Sequence, residues 1–118
     1  TPLQHNTLSE TDLADNFVFT AQEEVSYIFE LSQNPEHPAV PMVLSLLGAD
    51  GYTVVESVPF NPVTPFSHTF AGLTNALYYV SITLQNVQSN LVGYALSVRC
   101  DYKYSGGAET ENNPYLLS

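Results

Sequence analysis

The side chains that could carry out chemistry in this sequence are dispersed along it. The histidines His5, His37 and His68 lie far apart, and none has the His-Glu-x-x-His spacing of a zinc site. The sequence contains no Gly-x-Ser-x-Gly motif that would present a nucleophilic serine. The single cysteine, Cys100, follows the alternation of its strand-like run, which favours a small buried hydrophobe over a reactive thiol. These residues favour a protein that is not an enzyme.

The carboxylates show no spacing that indicates catalysis. Glu23 and Glu24 are adjacent at an expected turn, and neighbouring side chains on an extended chain diverge. Glu30 and Glu56 could act as a glycosidase acid and base only if the fold brought them together across a cleft. A small hydrolase is therefore the least favoured function.

Tyrosine is the residue type that points most directly to binding. The sequence has 8 tyrosines and no tryptophan. Tyr78 and Tyr79 are neighbours on a strand-like run and must face opposite ways, whereas Tyr102 and Tyr104 share a face. Exposed tyrosine rings can stack on sugars or hold an extended peptide at a low entropy cost. We therefore predict ligand binding by Tyr78, Tyr102 and Tyr104, with ordinary core and edge packing as the alternative.

Charge and composition exclude several classes of partner. Only 2 basic residues oppose 12 acidic ones, so the 118-residue chain has a formal net charge of −10. So few cations cannot neutralise a phosphate backbone or an anionic membrane surface, and we expect neither nucleic acid nor membrane as a partner. Salt would screen the self-repulsion of this acidic chain, which favours a secreted, extracellular protein. The alternative is that the acidic surface only improves solubility.

Alternation of apolar and polar residues predicts strands throughout the central part of the chain, and no window has a helical period. Prolines mark two connections that switch sheets, one over residues 34–41 and one over residues 59–65. Asp50-Gly51 between strand-like runs indicates a hairpin. The pattern predicts an all-β fold, an antiparallel, jelly-roll-like β-sandwich of seven to eight strands.

We expect this sandwich to occupy residues 15–104. Residues 1–14 are polar and are interpreted as a lead-in loop, and residues 105–118 as an acidic linker. The sequence begins with Thr rather than Met, so we expect it to be a piece of a longer, multidomain protein.

Several motifs occur in an order that resembles a known family. They are Asp15-Asn16-Phe17-Val18-Phe19, the run from Leu44 to the Asp50-Gly51 hairpin, the run from Gly72 to Tyr78-Tyr79-Val80, and Tyr94-Ala95-Leu96-Ser97-Val98. Over residues 15–98 the sequence resembles the bacterial pre-peptidase C-terminal domain, a β-sandwich appended to secreted peptidases and other exported proteins. It departs from that family at Ala76-Leu77, where a Gly often precedes the tyrosines, and at Ala49-Asp50, where two acids usually precede the Gly.

The resemblance implies a non-catalytic accessory module of a larger secreted peptidase, other hydrolase or adhesin. Such a module would bind a polysaccharide or fibrous protein surface, or aid secretion. The alternative is a purely structural spacer, without a ligand, that contacts neighbouring domains of the same chain.

The resemblance also implies a structural calcium ion. The related collagen-binding domains of bacterial collagenases hold calcium with an acidic lead segment and with acids near the first strand. The matching residues here are Glu109, Glu111 and Asn113, with Asp12 and Asp15 as further candidate ligands. The acidic segment either starts a following repeat or folds back on this domain. A solvated acidic linker is the alternative interpretation.

Overall fold

The computed structural model describes residues 4–102, which form eight strands. The strands are β1 (Gln4–Leu8), β2 (Ala14–Thr20), β3 (Val25–Ser32), β4 (Met42–Leu47), β5 (Val54–Phe60), β6 (Phe66–Phe70), β7 (Leu77–Leu84) and β8 (Val92–Tyr102). No helix in this part of the chain is long and apolar enough to cross a membrane.

The strands form two four-stranded antiparallel sheets. The first sheet has the order β1-β8-β3-β6 and the second the order β2-β7-β4-β5. The first half of the chain therefore pairs with the second half, β1 with β8, β2 with β7, β3 with β6 and β4 with β5. This is the strand order of a jelly roll, a long hairpin folded over on itself. The predicted all-β, antiparallel β-sandwich is confirmed.

Alternating side chains from both sheets fill the interior. On β3, Tyr27, Phe29 and Leu31 are buried, as the alternation of the sequence predicts. From the second sheet, Leu44 and Ile82 are fully buried against them. Ligand-binding groups must therefore lie on the outer faces, at the sheet edges or at the two ends of the sandwich.

The prediction that residues 1–14 form a loop is wrong at Gln4–Leu8 and at Ala14, which lie in strands. Gln4–Leu8 pairs with β8 as an edge strand, and only Leu8 of this polar strand is a fully buried apolar residue. Its stability comes from the main-chain ladder to β8, which leaves little trace in the pattern of side chains. Pro59, predicted to lie in a loop, also lies within a strand. It is tolerated because β5 is an edge strand, where a missing N–H need not break the ladder.

The connections divide between two ends of the sandwich. We call one end the proline end; it carries the connections 9–13, 33–41, 61–65 and 85–91. The other, the hairpin end, carries the connections 21–24, 48–53 and 71–76 and the last residues of β8. The predicted Asp50-Gly51 hairpin is confirmed there: the Asp50 carboxylate accepts hydrogen bonds from the main-chain N–H groups of Tyr52 (2.9 Å) and Thr53 (2.8 Å). Gly51 adopts a φ of 85°, which favours glycine.

Candidate functional site

An open groove of about 360 Å³ lies on the outer side of the first sheet, towards the proline end. We call it the outer groove. It is lined by residues of β3, β6 and β8 and of the connection before β6, namely Glu30, Leu31, Ser32, Pro65, Phe66, Ser67 and Ser97. Its volume is at the lower end of the range for small-ligand sites.

A row of three polar side chains crosses the floor of the outer groove. Glu30 on β3 is in register with Ser97 on β8 and with Ser67 on β6. Neighbouring strands lie about 4.8 Å apart, so the row presents a hydrogen-bonding group at each strand. Glu30 faces outward because the residues on either side of it, Phe29 and Leu31, face the core.

The Glu30 carboxylate is held in place but remains open to solvent. One of its oxygens accepts a hydrogen bond from the Ser97 hydroxyl at 3.3 Å, and the other accepts one from Arg99 Nε at 3.2 Å. The side chains of Arg99 and Glu30 are 55% and 42% exposed. Carboxylate lone pairs and further guanidinium N–H groups thus stay available, and the site can both accept and donate hydrogen bonds.

The connection 33–41 covers the part of the first sheet beside the outer groove. The N–H of Gly93 donates to the Pro38 carbonyl at 3.0 Å, and Asn34, itself buried, donates to the Asn6 carbonyl at 3.3 Å. A Cβ atom on Gly93 would lie 2.8 Å from Asn34 Nδ2, so glycine is needed for this close approach. On the outer side of β8, Ala95 is buried and Ser97 is partly exposed. The solvent-accessible part of β8 on this side therefore begins at Ser97, in the outer groove.

Of the predicted tyrosines, Tyr78 and Tyr102 do not line the outer groove. The Tyr78 ring stacks on Phe19 at a centroid distance of 6.0 Å, and its hydroxyl lies 3.1 Å from the Thr74 hydroxyl at the hairpin end. Tyr102 lies opposite Val25 at the end of β8 and packs against the core. Tyr104 is outside the described residues. Ligand binding by these tyrosines stays a prediction.

The candidate calcium ligands Asp12 and Asp15 lie at the proline end. Asp12 is exposed in a turn closed by two 3.0 Å main-chain hydrogen bonds with Ser9. Asp15 faces the interior, where its carboxylate accepts a hydrogen bond of 2.5 Å from the hydroxyl of the fully buried Tyr94. Burial, and to a smaller extent the charge of Asp12, raise the pKa of Asp15, although the bond from Tyr94 acts in the opposite direction. Burial and the Asp15 carboxylate raise the pKa of Tyr94.

The described residues do not by themselves fit a calcium ion, which takes six to eight oxygen ligands. Within residues 4–102, no three side chains of His, Cys, Asp or Glu come together to hold a metal. Glu109, Glu111 and Asn113 lie outside the described residues. Asp15 contacts Tyr94 on β8, and β8 continues for another 8 residues (102 − 94) to Tyr102. At the usual rise per residue of a strand, Tyr102 lies about 26 Å from Tyr94. The end of β8 is therefore far from Asp15.

Glu56, His68 and Cys100 serve pairing or packing. Glu56 Oε2 lies 2.7 Å from His68 Nε2, a hydrogen-bonded contact between the edge strands β5 and β6, whereas Glu30 faces outward from β3. The two carboxylates thus lie on different surfaces. Cys100 is half-buried against the core, and burial raises the pKa of its thiol.

The outer side of the second sheet is different in character. Tyr79 of β7 pairs with Val18 of β2 on one side and with Leu47 of β4 on the other. Leu77 is the neighbouring residue of β7 that faces the same way. Val18 is 47% exposed and Leu77 38%, and Val55 of the edge strand is exposed as well. These residues form what we call the apolar patch, which lies towards the hairpin end: Val18, Leu47, Val55, Leu77 and Tyr79.

The sequence interpretation missed the outer groove. A signal was present, because Glu30 and Ser97 are polar residues flanked by core-facing residues in strongly alternating runs. The register that aligns them with Ser67 comes from strand pairs distant in sequence, which periodicity does not reveal.

Comparison with known proteins gives no further assignment. No protein-family model matches the chain, and no significant match occurs among curated proteins or solved structures. The resemblance to the pre-peptidase C-terminal domain therefore rests on the motifs of the sequence and stays a prediction.

Proposed function

We propose that this chain is a non-catalytic, extracellular accessory module of a larger secreted bacterial protein, and that it holds its parent protein on a polymer surface. The parent would be a peptidase, another hydrolase or an adhesin, and the polymer a polysaccharide or a fibrous protein. The observation that carries the proposal is the placement of polar groups in an open groove on an outer sheet face, outside an apolar interior. Such a groove suits a long polymer, because a chain can enter and leave without a closed pocket.

The secreted location is supported by the acidic composition together with the family resemblance. A net charge of −10 with only 2 basic residues is best tolerated in a medium of substantial ionic strength. It also opposes binding to nucleic acid and to anionic membranes.

Calcium enters the proposal as a structural ion. Asp12 and Asp15 would contribute two carboxylates at the proline end, and the other ligands would come from residues outside 4–102. Such an ion would neutralise part of the acidic charge and fix the junction between neighbouring modules.

Co-sedimentation with insoluble polymers tests the proposed function. The full chain would be mixed with microcrystalline cellulose, chitin, insoluble xylan or fibrillar collagen, and the protein left in the supernatant would be measured. We expect retention on at least one polymer that exceeds the retention of serum albumin. Retention on none of them would contradict the proposal.

The apolar patch favours a second candidate function, a structural spacer that packs against a neighbouring domain. Exposed apolar side chains grouped on one face often mark a contact surface. The spacer function predicts no retention on any polymer, so the same co-sedimentation experiment separates the two candidates.

A further inference from the structure

We infer that the outer groove binds a neutral polysaccharide through the hydroxyl groups of its sugar rings. This inference rests on the proposed function, since it names the polymer class and the residues that would recognise it. It assigns recognition to Glu30, Arg99, Ser67 and Ser97, none of which was predicted as a ligand-binding residue.

The chemistry of the groove is complementary to neighbouring sugar hydroxyls. Each sugar hydroxyl both donates and accepts a hydrogen bond, and a pair of neighbouring hydroxyls is best met by an adjacent acceptor and donor. Glu30 supplies the acceptor and Arg99 the donor, and they lie side by side because their side chains contact at 3.2 Å. The serine hydroxyls on either side of Glu30 can play both roles.

Prior ordering of these groups favours binding. The Glu30 carboxylate is held by Ser97 and Arg99, which limits the side-chain entropy lost when a ligand binds. Ser67 and Ser97 are short side chains fixed on strands, so they lose little freedom. The row therefore forms a relatively rigid line of hydrogen-bonding groups across three strands.

Charge selects a neutral polymer over an acidic one. Arg99 is the sole Lys or Arg within residues 4–102, and Glu30 already pairs with it. A polyanion would meet a chain of net charge −10, and residues 4–102 hold no Lys or Arg besides Arg99 to offset the repulsion.

The groove also favours a polysaccharide over a fibrous protein. An extended peptide commonly binds by adding main-chain hydrogen bonds to an exposed strand edge. The central strand of the groove, β3, is paired on both sides, with β8 and with β6. A ligand lying over β3 therefore meets side chains, which suits hydroxyl groups better than a peptide backbone.

Affinity gel electrophoresis of the full chain tests this inference. The gels would contain soluble mixed-linkage β-glucan, xyloglucan or dextran, with polygalacturonate as the acidic polymer. We expect retardation by at least one neutral polymer and none by polygalacturonate. Glu30→Ala removes the central acceptor, and Ser67→Ile fills one side of the groove at an exposed edge-strand position. Each should weaken binding about tenfold or more.

Glu23→Ala is the matched control. It removes the same charge from an exposed turn at the hairpin end, so it should leave retardation unchanged. Thermal unfolding of each variant shows whether it is folded at the temperature of the gel. Glu30→Ala removes a carboxylate, whereas Ser67→Ile adds bulk. If one of these variants fails to fold, the other still tests the inference.

The outcomes separate this inference from the proposed function. Retention on a polymer that neither groove variant weakens, or binding to collagen or polygalacturonate alone, would overturn the inference and leave the accessory function standing. Binding to no polymer in either experiment would contradict both. Loss of retardation in the two groove variants, with the control unaffected, supports the inference.

Discussion

Asp15 and Tyr94 connect the two sheets at the proline end, one from β2 and the other from β8. The contact places a carboxylate in a partly desolvated position, with the charge of Asp12 nearby. Desolvation disfavours the ionised acid, so this contact makes stability depend on pH.

Replacing Asp15 by Asn should stabilise the protein near pH 7. The pKa of Asp15 is raised in the folded state above its ordinary value of 3.8, so the folded state binds the proton more strongly than the unfolded state. The stability that Asp15 contributes is therefore fully present below the unfolded pKa and is lost as the pH rises through the folded pKa. The amide of Asn resembles the protonated acid, so the advantage of Asp15→Asn should shrink as the pH is lowered from 7 to 4. Melting temperatures measured across this range, with a calcium chelator present, check it.

Asp50→Asn is the control of opposite sign. The Asp50 carboxylate accepts hydrogen bonds from the Thr53 hydroxyl and from main-chain N–H groups of the turn, which lower its pKa. Its contribution is present above the unfolded pKa and is lost as the pH falls through the folded pKa. Asp50→Asn should therefore destabilise the protein at pH 7, and parallel pH profiles for the two variants would contradict at least one of the two pKa directions.

Gly93→Ala should destabilise the protein because the added methyl group has no room. Its Cβ would lie 2.8 Å from Asn34 Nδ2 and 3.0 Å from the Cβ atoms of Asn34 and His37, so the connection 33–41 must move. Overpacking of this kind costs about 1–3 kcal/mol, which urea unfolding can measure. Gly48→Ala is the control, since its nearest contact would be an ordinary 3.8 Å. Equal losses in the two variants would show that the close approach at Gly93 does not matter.

At the scale of elements, the edge strands β5 and β6 close one side of the sandwich. Phe60 and Phe66 stack with their ring centroids 5.5 Å apart, and Glu56 pairs with His68 further along the same strands. Both contacts join strands of different sheets, so they hold the two sheets together where no main-chain ladder does.

Phe66→Ala should cost about 2–3 kcal/mol of the free energy of unfolding, because it removes a large, partly buried ring from this contact. Glu56→Gln should cost less than about 1 kcal/mol, because the Glu56 side chain is 45% exposed and water screens the pair. Chemical denaturation of both variants checks the order. A larger loss for Glu56→Gln would mean that the Glu56–His68 contact, rather than the aromatic stack, closes this edge.

The elements that the sequence predicts well are those with one apolar face. The runs that became β3, β4 and β7 alternate clearly or are rich in β-branched and aromatic residues; burial alternates strictly in β4, whereas β3 and β7 each have three consecutive buried residues at their centre. The strand β1 could not be predicted, because an edge strand with one fully buried apolar residue has almost no apolar face to detect. The outer groove was missed for another reason: Glu30, Ser67 and Ser97 become neighbours only through the register of distant strands.

At the scale of the whole molecule, the two outer faces of the sandwich suit different contacts. The first sheet presents the polar outer groove, and the second presents the apolar patch. A module could therefore hold a polymer on one side while a neighbouring domain packs on the other.

A calcium titration tests the structural ion in the full chain. If Asp12 and Asp15 share an ion with the acidic segment, calcium should raise the melting temperature. At one hundred times the dissociation constant, the gain would be about 2.7 kcal/mol, a shift of several degrees for a domain of this size. The shift should be reduced in Asp12→Asn and in a Glu109→Gln, Glu111→Gln double variant. Magnesium serves as the control ion, and an unchanged melting temperature with calcium would remove the ion from the proposal.

The pairing of the first half of the chain with the second also has a kinetic consequence. Within residues 4–102, β4 and β5 are the only consecutive strands that pair with each other, whereas β1 must find β8 across almost the whole described sequence. A hairpin forms in microseconds, but topologies dominated by such distant contacts fold in milliseconds to seconds. We expect β4 and β5 to nucleate folding and β1 to dock last, so mutations in the Asp50-Gly51 turn should slow refolding while mutations in β1 mainly speed unfolding.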